Sequence, residues 1–238
     1  MYSCPFCHSE FEHFNPFGHT APILREVQII GGGGRANALC PRCGSLDRER
    51  LLYLFIQERT ALLHRAQVWE PWRVLHVAPA RRLRHVLRHA PGLVEYVATN
   101  CLGAGEDLDI TGTPYPDQSF DVIICNHVLE HIEDDGKAMR ELCRVLKRDG
   151  WAILQVPYSA TLTHTLEDPT LTTPEERYRA FGQRDHVRIY ALTDYVQRLE
   201  RAGFEVDLYD LQAQLGDEAM KYGLNPDERI VFCHRRAE

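Results

Sequence analysis

Between Arg73 and Arg235 the chain alternates between two hydrophobic patterns. Short, nearly continuous apolar runs are separated by segments in which apolar residues recur every three or four positions. The runs "RVLHVA" (73–78), "LVEYVAT" (93–99), "EDLDI" (106–110), "FDVIICN" (120–126), "WAILQVP" (151–157), "FEVDLYD" (204–210) and "RIVFCHR" (229–235) read as strands. "FDVIICN" is apolar almost throughout, as a strand covered on both faces must be. Helices are predicted over "RRLRHVLRHA", "DDGKAMRELCRVLK" and "TDYVQRLERAG". The second has Asp134 and Asp135 at its start, Lys147 and Arg148 at its end and Gly150 beyond, in keeping with the helix dipole and the usual stop signal. The third should be capped by Thr193 and stopped by Gly203. Such alternation predicts an α/β, Rossmann-like, doubly wound and mostly parallel seven-stranded sheet with right-handed crossovers. The last two strands would close one edge as an antiparallel pair.

Ahead of this region, "SLDRERLLYLFIQERTALLH" (45–64) reads as an amphipathic helix. Ser45 can cap it, and Leu51, Leu54, Phe55, Leu62 and Leu63 would line one side. Trp69 and Trp72 around Pro71 mark a junction. The first residues hold "CPFC" and "CPRCG", two C-x2-C pairs 32 residues apart. Two such knuckles can place four thiolates tetrahedrally about one zinc ion, with Cys4, Cys7, Cys40 and Cys43 as ligands. Gly44 gives the second knuckle room to turn. A closed four-cysteine site is structural, since it leaves no open position for chemistry. The run Gly31–Gly34 lacks the Lys-Ser/Thr of a phosphate loop and reads as a flexible hairpin tip. The division is therefore a zinc-ribbon module (1–45), a bridging helix and linker (46–72) and a main α/β domain (73–238).

Composition narrows the class further. At 238 residues, 44% hydrophobic and 26% charged, the chain is an ordinary globular protein. No apolar run is long enough to span a membrane, and the N-terminus has no basic start or apolar core of a signal peptide. A cytoplasmic protein without membrane contact is expected. The net charge of −7 argues against a dedicated nucleic-acid binder. The arginine-rich run "RRLRHVLRH" is expected to be a solvated helix face. Cys101, Cys125, Cys143 and Cys233 stand in apolar contexts as small hydrophobes, and no disulfide framework is expected.

The stretch "DITGTPYPDQSFDVIICNHVLEHIEDDGKAMRELCRVLKRDGWAILQVP" resembles the class I S-adenosylmethionine-dependent methyltransferases, a resemblance covering about 73–235. The matching features are Asp109, a proline-containing loop, "SFDVI", "VLEHI", a helix, "LK-x-x-G" and a strand ending in proline. In that family the first strand ends in a glycine-rich loop under the cofactor. Here Ala78-Pro79-Ala80 stands there, with His76 where an acid is common. The resemblance implies Asn100 at the ribose hydroxyls, Asp109 at the adenine amino group, Ile110 against the ring, and Asn126, His127 and Val128 beside the methionine part. Ala78 and Ala80 permit close backbone approach but do not readily take positive φ. Glu130 and His131 read as helix-entry packing.

The segment 158–193 is 36 residues long, too long for a plain connection. In the family such an insert often covers the active site. A helix is predicted over Pro174–Phe181, followed by a cluster of Gln183, Asp185, His186, Arg188 and Tyr190. His186, oriented by Asp185, is the first candidate base, and His127 the second. Arg188 could bind an anionic acceptor, with Tyr190 beside it. The leading function is S-adenosylmethionine-dependent methylation, on O or N, of a small-molecule or glycan acceptor. One alternative is an RNA base methyltransferase reading RNA through its zinc ribbon. Another is a non-catalytic zinc-binding interaction protein with a degenerate methyltransferase domain. Oligomeric state is left open.

Overall fold

The chain is described by a computed structural model covering residues 1–64, 71–100 and 106–237. Trp69, Cys101 and the side chain of Asn100 lie outside the described residues. The central sheet has seven strands: β1 (Trp72–Val77), β2 (Leu93–Asn100), β3 (Glu106–Asp107), β4 (Phe120–Asn126), β5 (Leu146–Gln155), β6 (Phe204–Tyr209) and β7 (Ile230–Arg235). Their spatial order is 3-2-1-4-5-7-6. All neighbours are parallel except β7, which runs antiparallel between β5 and β6. The predicted antiparallel pair exists, with β6 rather than β7 at the edge.

Alternation along the inner strands sorts the core into two layers. Leu75, Val77, Ile123 and Cys125 face one side with α3 (Asp135–Val145) and α5 (Leu192–Arg201). Val74, Val122, Ile124 and Ile153 face the other, with α1 (Asp47–Arg59) and α2 (Arg81–Leu87). The strand β5 begins at Leu146, not Trp151, because Leu146 already pairs with Phe120. The polar residues 147–149 sit in a register shift between Leu146 and Trp151, inside the strand rather than at a helix end. A side chain at Gly150 would meet the Asp121 carbonyl at 2.7 Å. Helix α5 starts at Leu192 behind Ala191, with no side-chain cap, so Thr193 lies inside it. Gly203, at φ 105, stops it as predicted.

Helix α1 departs most from its prediction. It ends at Arg59, where Thr60 turns extended and returns its hydroxyl to the Ile56 carbonyl at 2.8 Å. Ser45 is not its cap: the Ser45 hydroxyl lies 3.3 Å from the Cys4 and Cys43 sulfurs, and the Leu46 N–H donates to Glu49. The helix is enclosed on several faces, so even Asp47, Glu49 and Arg50 are buried. Each therefore needs internal partners. Asp47 pairs with Arg35. Glu49 accepts from the Arg82 and Leu83 N–H groups, satisfying the free donors at the start of α2. Arg50 donates to the carbonyls of Asn37, Ala38, Ser45, Tyr222 and Gly223 and lies 4.3 Å over the Phe14 ring.

The N-terminal segment is joined to the rest by more than α1. Ile29–Ile30 pairs with Tyr158–Ser159, which pairs with Arg188–Ala191, which pairs with Leu166–Glu167. The insert thus forms a small second sheet edged by the N-terminal segment. Its helix α4 (Pro174–Phe181) has a capping box between Thr173 and Glu176, and Gly182 ends it at φ 83. The glycine run is not a flexible tip. Gly31 and Gly33 are buried, and the Gly32 and Gly33 carbonyls accept from Arg35 at 2.8 Å. A side chain on Gly32 would press on Pro157 at the end of β5. Among the described residues, no helix is long and apolar enough to cross a membrane.

Candidate functional site

In an open α/β sheet, ligands bind beyond the carboxyl ends of the strands where the order reverses. Here that point lies between β1 and β4. The pairs Val77–Thr99, Val77–Cys125 and Asn126–Gln155 set the ends of β1, β2, β4 and β5 level. Ala78 follows β1 and takes φ 46, the left-handed conformation that glycine usually supplies. Its N–H donates to the Thr99 carbonyl at 2.7 Å, tying the turn to β2. The expectation that alanine would avoid positive φ is therefore corrected. The hydrogen bond holds the turn in the glycine-like shape at a cost of about 1–2 kcal/mol. Ala78→Gly is accordingly expected to raise stability by about 0.5–1 kcal/mol in urea unfolding. A loss of that size would contradict the left-handed turn.

Buried polar atoms without partners are rare in folded proteins. Among the described residues six side-chain atoms are of this kind, and four gather at the carboxyl ends of β2 and β4. They are Thr99 Oγ1, Asn126 Oδ1, His127 Nε2 and Glu130 Oε2. Of these, Thr99 Oγ1 and Asn126 Oδ1 are a donor and an acceptor that a polar cofactor at this edge would complete. Asp109 is exposed and accepts from the Thr111 N–H and hydroxyl at 2.8 and 2.7 Å through one carboxylate oxygen. The Thr111 hydroxyl holds its pKa low, so it stays an acceptor. Ala80 caps α2 at the far end of the same turn. Ile110 and Val128 are buried in the core beneath, so only their backbone can meet a ligand. His76 does not face the site as a free group. It is buried, its Nδ1 lies 2.8 Å from the Tyr96 hydroxyl, and burial pushes its pKa down to about 3.

His127 also has positive φ, 57, and its N–H donates to the Gln155 carbonyl at 2.8 Å. Its Nδ1 lies 3.4 Å from Glu130 Oε1. Burial, followed by the Arg48 charge, pushes its pKa down to about 4, so the ring is neutral at pH 7. Burial opposes ionisation of Glu130, but the bond from His127 and the surrounding histidines bring it down to about 2. Arg48, from the first turn of α1, extends its charge to both groups.

The insert residues are brought to this neighbourhood with different partners from those predicted. Asp185 does not orient His186. Its carboxylate and its carbonyl each lie 3.3 Å from His131 Nδ1. His186 is 4% exposed, stacks edge-on to His131 at 4.7 Å, and burial pushes its pKa down to about 4. Arg188 is not free for an acceptor. It donates to the Leu129, Ile132 and Glu133 carbonyls and to Glu167. Tyr190 is fully buried, its hydroxyl donating to Asp135 at 2.7 Å. These two side chains fasten the insert to the turn Leu129–His131.

The sequence reading passed over Arg48, treated Glu130 and His131 as packing, and did not single out Glu228. Glu228 is buried beside Gly31, accepts from Gln155, and is pushed up to about 7 by burial and the nearby Asp47. The detectable signal was in "DRERLLYLFI" (47–56), where apolar residues on several faces force the first-turn charges inside.

The four cysteines converge as their spacing implies. Their sulfurs all lie within 4.8 Å of one another, with Cys4–Cys43 at 3.6 Å and Cys7–Cys40 at 3.8 Å. A tetrahedron of roughly 2.3 Å zinc–sulfur bonds requires about 3.8 Å between sulfurs, so the cluster fits the ion. The two knuckles are local copies. His8 and Gly44 take φ 53 and 72, and their N–H groups return to the Cys4 and Cys40 carbonyls.

Comparison with known proteins agrees with this fold. Residues 103–209 match the family model of a methyltransferase domain. The chain is 32% identical over 119 residues to the uncharacterized methyltransferase YcgJ of Bacillus subtilis, covering 49% of this chain and 44% of that one. It is 28% identical over 134 residues to ajmaline N-methyltransferase of Rauvolfia serpentina, covering 56% and 43%. The chain thus spans less than half the length of these curated relatives. Among solved structures, the [4+2]-cyclase SpnF superposes with TM-score 0.54 at 16% identity, over 80% of this chain and 82% of that one. The 1,6-didemethyltoxoflavin-N1-methyltransferase of Burkholderia thailandensis, bound to S-adenosylhomocysteine, gives 0.50 at 16%, over 74% and 76%. The chain has the class I S-adenosylmethionine-dependent methyltransferase fold.

Proposed function

We propose that this chain transfers the methyl group of S-adenosylmethionine to a small-molecule or glycan acceptor held beneath the insert 158–193. The observation that carries this reading is the polar edge at the ends of β1, β2 and β4. There the left-handed Ala78 turn and the unpartnered atoms of Thr99, Asn126 and His127 meet. Asp109, through its second carboxylate oxygen, is the acceptor for the adenine amino group, and Asn100 takes the ribose hydroxyls. The cysteine cluster holds one structural zinc ion.

In the reaction, an acceptor lone pair attacks the methyl carbon, the carbon–sulfur pair returns to sulfur, and the acceptor loses a proton. His127 suits that proton better than His186. Its Nδ1 faces the Glu130 carboxylate, which leaves Nε2 as the lone-pair nitrogen at the cofactor edge. His127→Ala is expected to cut turnover by about 10²–10⁴ while S-adenosylhomocysteine affinity stays within about threefold.

A second reading is supported by one feature. Arg81, Arg82, Arg84, His85 and Arg88 line an open recess of about 610 Å³ beside Pro79. An arginine-lined recess next to the cofactor turn suits a phosphate-bearing acceptor, RNA included. Incubating the protein with methyl-labelled cofactor and separated cell fractions tells the readings apart. Label in small molecules or glycans is expected. Label in RNA, with retention falling steeply with salt, favours the second. Label in no fraction would overturn methyl transfer and leave a binding scaffold.

A further inference from the structure

Beside the cofactor edge, three side chains from two separate chain segments point at one spot. One ligand atom each from Glu130, His131 and His186 lies within 4.8 Å of the others. Glu130 and His186 are buried, at 1% and 4% exposure, and His131 is partly exposed. Glu130 Oε2 is buried and has no hydrogen-bond partner. A buried carboxylate with an empty oxygen is costly unless a cation or donor completes it. Arg48 is near enough for its charge to reach Glu130, but it does not donate to that oxygen.

The histidines are set up to be ligands. The Nδ1 of His131 faces the Asp185 carboxylate and carbonyl, both at 3.3 Å. A proton held there leaves the lone pair on Nε2, which lies 4.0 Å from Glu130 Oε1. A carboxylate behind a histidine, fixing its tautomer and ring, is the recurring outer shell of metal sites. The two segments are locked together around the spot. The Val187 N–H donates to the Glu130 carbonyl at 2.9 Å, and Arg188 grips the turn Leu129–His131.

We propose that Glu130, His131 and His186 bind one divalent first-row transition-metal ion, separate from the cysteine cluster. Two imidazoles and one carboxylate favour manganese, iron, cobalt or zinc over magnesium or calcium. Bonds of about 2.1 Å draw the three ligand atoms together by about an ångström. Three protein ligands leave positions open for water or an acceptor oxygen. The site stands on its own side chains. Its role rests on the methyl-transfer reading: Glu130 also lies 3.4 Å from Nδ1 of the proposed base His127, so an ion here adjoins the acceptor side of the site.

The test uses the 238-residue chain carrying a single equivalent of zinc, which the four thiolates take first, titrated with manganese chloride, with free Mn²⁺ followed by its EPR signal. Thiolate clusters take softer ions, so the cysteine site does not interfere. One Mn²⁺ per chain is expected, weakened at least about tenfold by His131→Asn and by His186→Gln. His131 is partly exposed, so that variant should fold, and its melting point and S-adenosylhomocysteine affinity verify this. No binding to the wild type at millimolar Mn²⁺, or equal binding by both variants, overturns the site. Mn²⁺ bound without S-adenosylhomocysteine binding would instead retain the metal and remove the methyl-transfer reading.

Discussion

Replacing Cys43 with serine is expected to abolish the one zinc ion held by the cysteine cluster and to unfold the first 45 residues. A serine hydroxyl stays protonated at neutral pH and is a poor substitute for thiolate. The binding energy at stake is on the order of 10–16 kcal/mol, the range of isolated zinc modules. In this chain the damage should spread. The Cys43 carbonyl accepts from Arg82 at 2.6 Å, linking the second knuckle to α2. The Ser45 carbonyl accepts from the buried Arg50. Elemental analysis, limited proteolysis and a thermal melt check this together. Treatment of the wild type with a strong chelator should reproduce the variant. Wild-type protein made with zinc available and found metal-free would contradict it.

Arg50→Leu is expected to destabilise the chain by at least about 3–5 kcal/mol. The leucine roughly fills the apolar part of the space, so the loss reports the guanidinium. Five carbonyls from three parts of the chain would lose their donor. Each buried acceptor left unsatisfied costs roughly 1–3 kcal/mol. Arg50→Lys should recover only part, because a point ammonium cannot replicate the fork that reaches Asn37, Ala38 and Gly223 together. Urea unfolding of the three proteins measures the series. A change below about 1 kcal/mol for Arg50→Leu would show that the carbonyls find water or other donors.

What the sequence made legible follows from how local each feature is. Strand β4 could be read because its two covered faces leave almost no polar residue between Phe120 and Cys125. The knuckles could be read because two-residue spacing decides where thiolates point. The edge of β5 could not, since residues 147–149 look like a helix end, and only pairing with Phe120 draws them into the sheet. The burial of the first turn of α1 could not be read for a related reason. Asp47, Glu49 and Arg50 look solvated until α2, Arg35 and the loop at 222–223 close around them. At the candidate site, the ends of β1 and β4 and the exposed Asp109 follow strand order, so sequence placed them near the cofactor edge. The partners of Asp185, Arg188 and Tyr190 depend on how the insert folds back over the Leu129–His131 turn, which no local pattern encodes. Arg48 reaches the site from the N-terminal part of the chain, across more than 70 residues of sequence from His127.

The central claim is that the edge formed by Ala78, Asp109 and Asn126 binds S-adenosylmethionine. Calorimetric titration of the zinc-loaded chain with S-adenosylhomocysteine tests it most directly. One binding site per chain is expected, with affinity lowered about tenfold or more by Asp109→Ala, the loss of a charge-assisted bond worth roughly 1.5–3 kcal/mol. No heat and no rise in melting temperature at millimolar S-adenosylhomocysteine would contradict it.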